Sequence, residues 1–433
     1  MQNLTNKKIF KFWLPLLATW LMMSIEGPYL AALIARMIEP KFNLAAYGVA
    51  YSFGLIAEAP IIMIMSAATA LVKDRDSFIK LKNFTYAANV IITLILAFCL
   101  IPPVFNFISM TVIGLPKNIA DLTFNAMFFL LPWPAAIGYR RLYHGILIKN
   151  GLTRRVAYGT VIRLASMSLT ALLMYLYLDV PGVIVGACGL SAGVIFEAIA
   201  TKLMCLGIVK KYLADEFEEV EKLNYRGIFR FYYPLAMTSI LSLGVHPMVT
   251  FFMGQSRFPI ESLAVLPVVN SLIFIFRAVG LSYQEVIIAL MDDKNKNYKL
   301  LKNFAVYMSV GVMVILGLIT FSPLSTFWFR DISGLSLELT QFAITPSQIL
   351  FILPVLTILI SFQRAMLVNS RKTKPITMAS ILEVCGILLT LFILTNVFDF
   401  VGAVAAAAAY VAGRILSNTY LMKPFINAIG KEK

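Results

Sequence analysis

The sequence predicts an all-α polytopic membrane protein of about twelve transmembrane helices, arranged as two parallel six-helix repeats. Composition, block length and a second beginning at mid-chain carry that expectation. Of 433 residues, 60% are hydrophobic and 14% charged, and the mean hydropathy is +0.82. A soluble globular chain is nearer half apolar and a quarter charged. The apolar residues fall in blocks such as LPLLATWLMMSIEGPYLAALIA and TYAANVIITLILAFCLIPPVF. About twelve such blocks approach the roughly 20 residues that cross the hydrocarbon as helix.

The chain opens with FKFWLPLLATW from Phe10, and FRFYYPLAMTS follows from Phe229. Pro15 and Pro234 stand 219 positions apart, as do Pro28 and Pro247. LAAYGVAYSFGLIAEAP from Leu44 matches LAVLPVVNSLIFIFRAV from Leu263 at the same spacing. Asn83 and Phe84 match Asn303 and Phe304, and Gly182 matches Gly402, at 220. A near-constant offset over most of a half marks two copies of one unit. The expected division is a lobe over 1–209, a cytoplasmic linker over 210–227 and a second lobe over 228–433.

The net charge of +15 follows topology rather than nucleic-acid binding. With the N-terminus inside, the inner segments hold Lys7, Lys8 and Lys11, then Lys73, Arg75, Lys80 and Lys82, then Lys149, Arg154 and Arg155. Lys210, Lys211, Lys222, Arg226, Arg230, Lys294, Lys296, Lys299, Lys302, Arg371, Lys372 and Lys374 continue the series, and the tail adds Lys423, Lys431 and Lys433. The outer loops hold little beyond Arg36, Lys41, Lys117, Arg257 and Arg330. This positive-inside bias puts both termini in the cytoplasm and makes the repeats parallel. The first apolar run is too long for a signal peptide and ends in no small-x-small site, so it is expected to remain as a helix. Parallel repeats around a cleft are a plan of secondary transporters, with the substrate path at the repeat interface; duplication kept only for stability is the alternative.

These features resemble the multidrug and toxic compound extrusion (MATE) transporters, within the wider group of multidrug, oligosaccharidyl-lipid and polysaccharide exporters. YHGILIKNGLTRRVAYG is similar to the joint between helices four and five of that group. NLAAYGVAYSFGLIAEAP, KDRDSF and HGILIKNG resemble the progressive ankylosis membrane proteins more closely. The resemblance implies a MATE-like fold. It also implies export coupled to sodium or protons on the MATE side, or export of organic anions on the progressive ankylosis side.

An ionisable residue deep in the bilayer is costly unless it faces water or a partner. Glu58 corresponds to Arg277, Arg163 corresponds to Glu383, and Glu26 falls one residue from the match of His246. Two readings fit the opposed charges: a network facing a cleft, or pairs that stabilise packing within each lobe. Glu26, in IEGP beside Pro28, is a coupling-ion candidate where a proline kinks or unwinds the helix, and Glu58 is a second. A capped kink is the rival reading for Glu26. Arg163, His246, Arg277 and Glu383 are substrate-cleft candidates. Arg140 and His144 share a helix face, and Arg364 stands at the match of His144. All three are candidates for a basic vestibule, with snorkelling to lipid phosphates as the competing explanation. Glu197, Glu285 and Arg414 are embedded without an assigned role.

Two histidines, and four cysteines with no CxxC pair, suggest no metal site and no disulfide. No HExxH, clustered Asp pair or phosphate-binding Gly-rich loop points to an enzyme or to ATP-driven transport. The expectation is an alternating-access exporter of a small anionic or amphiphilic solute, coupled to protons or sodium. It needs no cofactor and works as a monomer in the cell membrane. A flippase for a lipid-linked glycan precursor is the alternative, and an intramembrane enzyme represents a different class.

Overall fold

A computed structural model of the chain describes residues 4–214, 223–291, 297–370, 372 and 374–430. Among the described residues twelve long helical rods follow one another. The first half holds α1 (Asn6–Ala35), α2 (Pro40–Glu58, resuming as Ile64–Leu71) and α3 (Arg75–Cys99). It continues with α4 (Lys117–Lys149), α5 (Thr153–Tyr177) and α6 (Gly182–Ala214). The second half holds α7 (Tyr225–Gly254), α8 (Pro259–Leu290), α9 (Tyr298–Phe321), α10 (Leu337–Asn369) and α11 (Lys374–Asn396), then α12 (Gly402–Gly430). Ten of them are long and apolar enough to cross a membrane. The other two are α2, which is interrupted, and α12, which carries Arg414, Asn418 and Lys423. Rows of exposed apolar side chains, such as Val90, Ile91, Leu94 and Phe98 on α3 and Val314, Ile315, Leu318 and Phe321 on α9, match a lipid rather than a water surface.

The duplication reaches backbone details that sequence similarity does not display. Glu39 and Phe258 both take left-handed φ, 51° and 52°, immediately before the prolines that start α2 and α8. Short π-helical segments, rare in proteins, recur at Phe107–Val112 and Phe327–Ile332. Each is closed by a glycine that must be left-handed, Gly114 at 83° and Gly334 at 76°.

The halves also differ for local reasons. Pro60 removes a donor, and α2 stops at Glu58, whose carbonyl takes the N–H groups of Ile61 and Ile62 at 2.9 and 3.1 Å. The matching residue in α8 is Val279, and that helix runs unbroken. Conversely, α1 is continuous through Pro15 and Pro28, so of the expected kink or unwinding beside Glu26 the unwinding does not occur. Its counterpart α7 is interrupted at Gly244, between Leu243 and Val245.

One compact unit comprises Met1–Arg36 with Phe252–Lys433, and the other Met37–Phe251. Each copy's first helix is therefore built into the other copy's bundle. In the first unit, Ile9 and Trp13 of α1 enter an apolar cluster with Tyr283, Phe304 and Phe362. There the Trp13 indole N–H donates to Ser282 Oγ at 2.8 Å. At the far end of α1, Arg36 donates to the Asp331 and Ile332 carbonyls, both at 2.8 Å. In the second unit, Ile228 and Tyr232 of α7 join Ile61, Phe78 and Leu142, and Tyr232 donates its hydroxyl to the Pro60 carbonyl at the α2 interruption. Residues 215–222 of the expected linker, and with them Lys222, lie outside the described residues, as do Lys294, Lys296 and Arg371. The described flanks Lys210–Ala214 and Tyr225–Gly227 belong to α6 and α7.

The cap of α3 offers a pH-dependent test. The Asp74 carboxylate accepts from Ser77 N and Oγ at 2.8 and 2.7 Å, and Ser77 Oγ accepts from the Asp74 backbone N–H at 3.0 Å, which completes a capping box. Burial alone would raise its pKa, but the Ser77 hydrogen bonds outweigh that and hold the carboxyl below its ordinary value. The cap's stabilisation is therefore complete above the unfolded carboxyl's pKa of about 3.9 and is lost as pH falls through the lower folded value. Asp74→Ala is expected to cost about 0.5–2 kcal/mol at neutral pH and little once the carboxyl is protonated. Thermal unfolding at both pH values checks this.

Candidate functional site

Among the described residues each compact unit gathers a cluster of charged side chains between its helices, almost fully buried in one unit and half-buried in the other. In the unit spanning Met37–Phe251, Arg140 of α4 donates through Nη1 to Glu197 Oε2 of α6, and both side chains are almost fully buried. His144, one turn on, places Nε2 at 3.7 Å from Glu197 Oε1 and 3.2 Å from Thr201 Oγ1. The single hydroxyl hydrogen of Thr201 goes to the Glu197 carbonyl at 2.7 Å. Arg141 lies within electrostatic reach of Glu58, Glu197, Arg140 and Arg163.

In the other unit, Arg414 of α12 places Nε and Nη2 at 2.8 Å from Glu383 Oε1 of α11. Arg414 Nη1 donates to Thr357 Oγ1 at 3.2 Å. Arg364 of α10 donates to Ser380 Oγ at 3.2 Å, and its Nη2 lies 4.0 Å from Glu383 Oε2. Arg277 of α8 has Arg414, Glu383 and Tyr410 within electrostatic reach. The α11–α12 crossing beneath this cluster is close because Gly413 has no side chain: a Cβ would stand 2.6 Å from the Glu383 carbonyl.

The structure thus brings Arg140 together with His144, and Arg277 and Arg364 with Glu383. Arg163 and Glu58 belong to the first cluster's surroundings. Glu26 is buried in α1, where its neighbour Gly27 abuts Ser271 of α8, and His246 sits just past the α7 interruption. Nothing described places either of these two in the charge clusters. Arg140 and His144 are buried rather than snorkelling.

Matching equivalent positions overlooked the principal partners, Glu197 and Arg414. Their exact equivalents, Ser417 and Val194, are uncharged. Glu197 and the Arg414 match differ by three positions, however, one turn along the same helix face. A search allowing that displacement finds them.

No family model and no curated protein matches the sequence. Solved structures do. One is the "Inward-facing conformation of a multidrug resistance MATE family transporter of the MOP superfamily", with TM-score 0.71 at 13% identity, covering 96% of this chain and 95% of that one. Another is "Lipid II flippase MurJ, inward closed conformation", with TM-score 0.68 at 16% identity, covering 96% and 90%. The "eukaryotic MATE transporter AtDTX14" gives 0.63 at 12% identity over 99% and 98%. Identity this low shows fold, and here it covers nearly the entire chain. The chain accordingly has the twelve-helix, two-repeat fold of the MATE transporters and is a multi-pass membrane protein.

Proposed function

We propose that this protein is a secondary active transporter exporting a small anionic solute by alternating access, driven by a proton or sodium gradient. The observation that carries the reading is the imbalance of embedded charge. Arg140, Arg141 and Arg163 face Glu197 and Glu58 in one cluster, and Arg277, Arg364 and Arg414 share Glu383 in the other. Arginine does not discharge by losing its proton, so the excess calls for water or a passing anion. In this reading the protein is not an enzyme and uses no cofactor. It acts as a monomer in the cell membrane with both termini cytoplasmic. Glu26 and Glu58 remain the coupling-ion candidates, since a carboxylate within the bilayer can exchange a cation for a change of state.

A lipid-linked glycan precursor flipped across the bilayer is the second reading, favoured by the likeness to the Lipid II flippase. Its phosphates would use the same arginines. Reconstituted protein assayed for efflux of radiolabelled dicarboxylates and phosphate, and separately for flipping of a polyprenyl-diphosphate sugar, separates the two. Gradient-driven solute flux supports the exporter, whereas flipping without solute flux replaces it. Within the exporter reading, Glu26→Gln should abolish the response to an imposed proton or sodium gradient. Parental gradient-driven flux in that variant would move the coupling site elsewhere.

A further inference from the structure

We infer that the cluster formed by α8, α10, α11 and α12 is an oxyanion-binding site, in which Arg277 and Arg364 supply the open donors for a carboxylate or phosphoryl solute. The assignment rests on the exporter reading for its transport role, but binding is measured independently of flux. Three guanidiniums share one carboxylate there, and among the described residues no other acidic side chain acts on Arg277 or Arg364. Glu383 is committed mainly to Arg414, with Oε1 at 2.8 Å from two of its nitrogens. Arg364 is held at 4.0 Å and is more than a quarter exposed.

The Nε–H groups of Arg277 and Arg364 are both buried without an acceptor among the described residues. A guanidinium stays charged and offers a planar fork matched to a two-oxygen acceptor. Ser380 Oγ takes one donor of Arg364, but leaving the Nε–H of each fork without an acceptor inside a membrane-embedded bundle is costly, and a bound oxyanion relieves that cost. The first cluster also leaves the Nε–H groups of Arg140 and Arg141 without an acceptor among the described residues, but there Arg140 is paired directly through Nη1 with Glu197 and both side chains are almost inaccessible.

Purified full-length protein in phospholipid-free detergent tests the site by thermal unfolding against inorganic phosphate, succinate and phosphatidylglycerol. Phosphate and succinate should raise the midpoint with concentration. Arg277→Gln should weaken the apparent affinity about ten-fold or more, as expected for losing a charge-assisted hydrogen bond. Arg277→Lys should weaken it less, keeping the charge without the fork. Glu383→Gln should lower the midpoint in the absence of anion, and phosphate should recover more of it than in the parent, a rescue that a purely structural ion pair does not show. If Arg277→Gln and Glu383→Gln respond to phosphate as the parent does while reconstituted protein still moves anions, the site assignment falls and the exporter reading survives. If the parent neither binds nor moves either anion, both fall. A response to phosphatidylglycerol alone would identify a lipid headgroup and overturn the solute site.

Discussion

Arg140→Gln is expected to destabilise the protein by about 3–5 kcal/mol, because it leaves the Glu197 carboxylate charged and without its direct ion-pair partner in the bundle interior. Both side chains are almost wholly buried, and Arg140 donates directly to Glu197. The remaining neighbours of Glu197 replace it only in part: Arg141 acts on it electrostatically, and His144 stands at 3.7 Å. Glu197→Gln should be damaging for the converse reason, since it leaves Arg140, Arg141 and Arg163 facing one another with Glu58 as the remaining acid. Removing both partners should be less harmful than the two single effects added together, because neither charge is then stranded. Thermal unfolding in detergent measures all three variants. Strict additivity would show that Arg140 and Glu197 do not stabilise each other.

Gly413→Val should be the most damaging of the small-residue substitutions in the second cluster. A Cβ at Gly413 would lie 2.5 Å from Ile387 Cγ1 and 2.6 Å from the Glu383 carbonyl, and a backbone oxygen cannot rotate away. The two helices must separate, which carries Arg414 away from Glu383 and dismantles the 2.8 Å contacts. Overpacking of this kind costs about 1–3 kcal/mol by itself, and loss of the ion pair adds to it. Gly311 is the control, with nothing within 4 Å of its Cβ position. Gly311→Ala on α9 should be neutral or slightly stabilising, as alanine is the better helix former. Equal losses at Gly413 and Gly311 would show that close approach is not what Gly413 provides.

The sequence by itself determined the helical membrane class, the approximate number of spans and the duplication. Each depends on local chemistry or on self-comparison: block length against bilayer thickness, and Pro15 with Pro234 or Gly182 with Gly402 at nearly one spacing. The left-handed residues at Glu39 and Phe258 extend that duplication to backbone geometry, although neither residue type announces it. Tertiary structure decided which copy each first helix joins. FKFWLP and FRFYYP are alike because they descend from one unit, and that likeness is silent about whether Trp13 meets Ser282 or a residue of its own half. It also decided the charge partners. Opposed residues at equivalent positions, Glu58 with Arg277 and Arg163 with Glu383, suggest pairing between copies. Ion pairing depends on distances of a few ångströms, however, and a one-turn shift along α6 and α12 was enough to give Arg140 to Glu197 and Glu383 to Arg414.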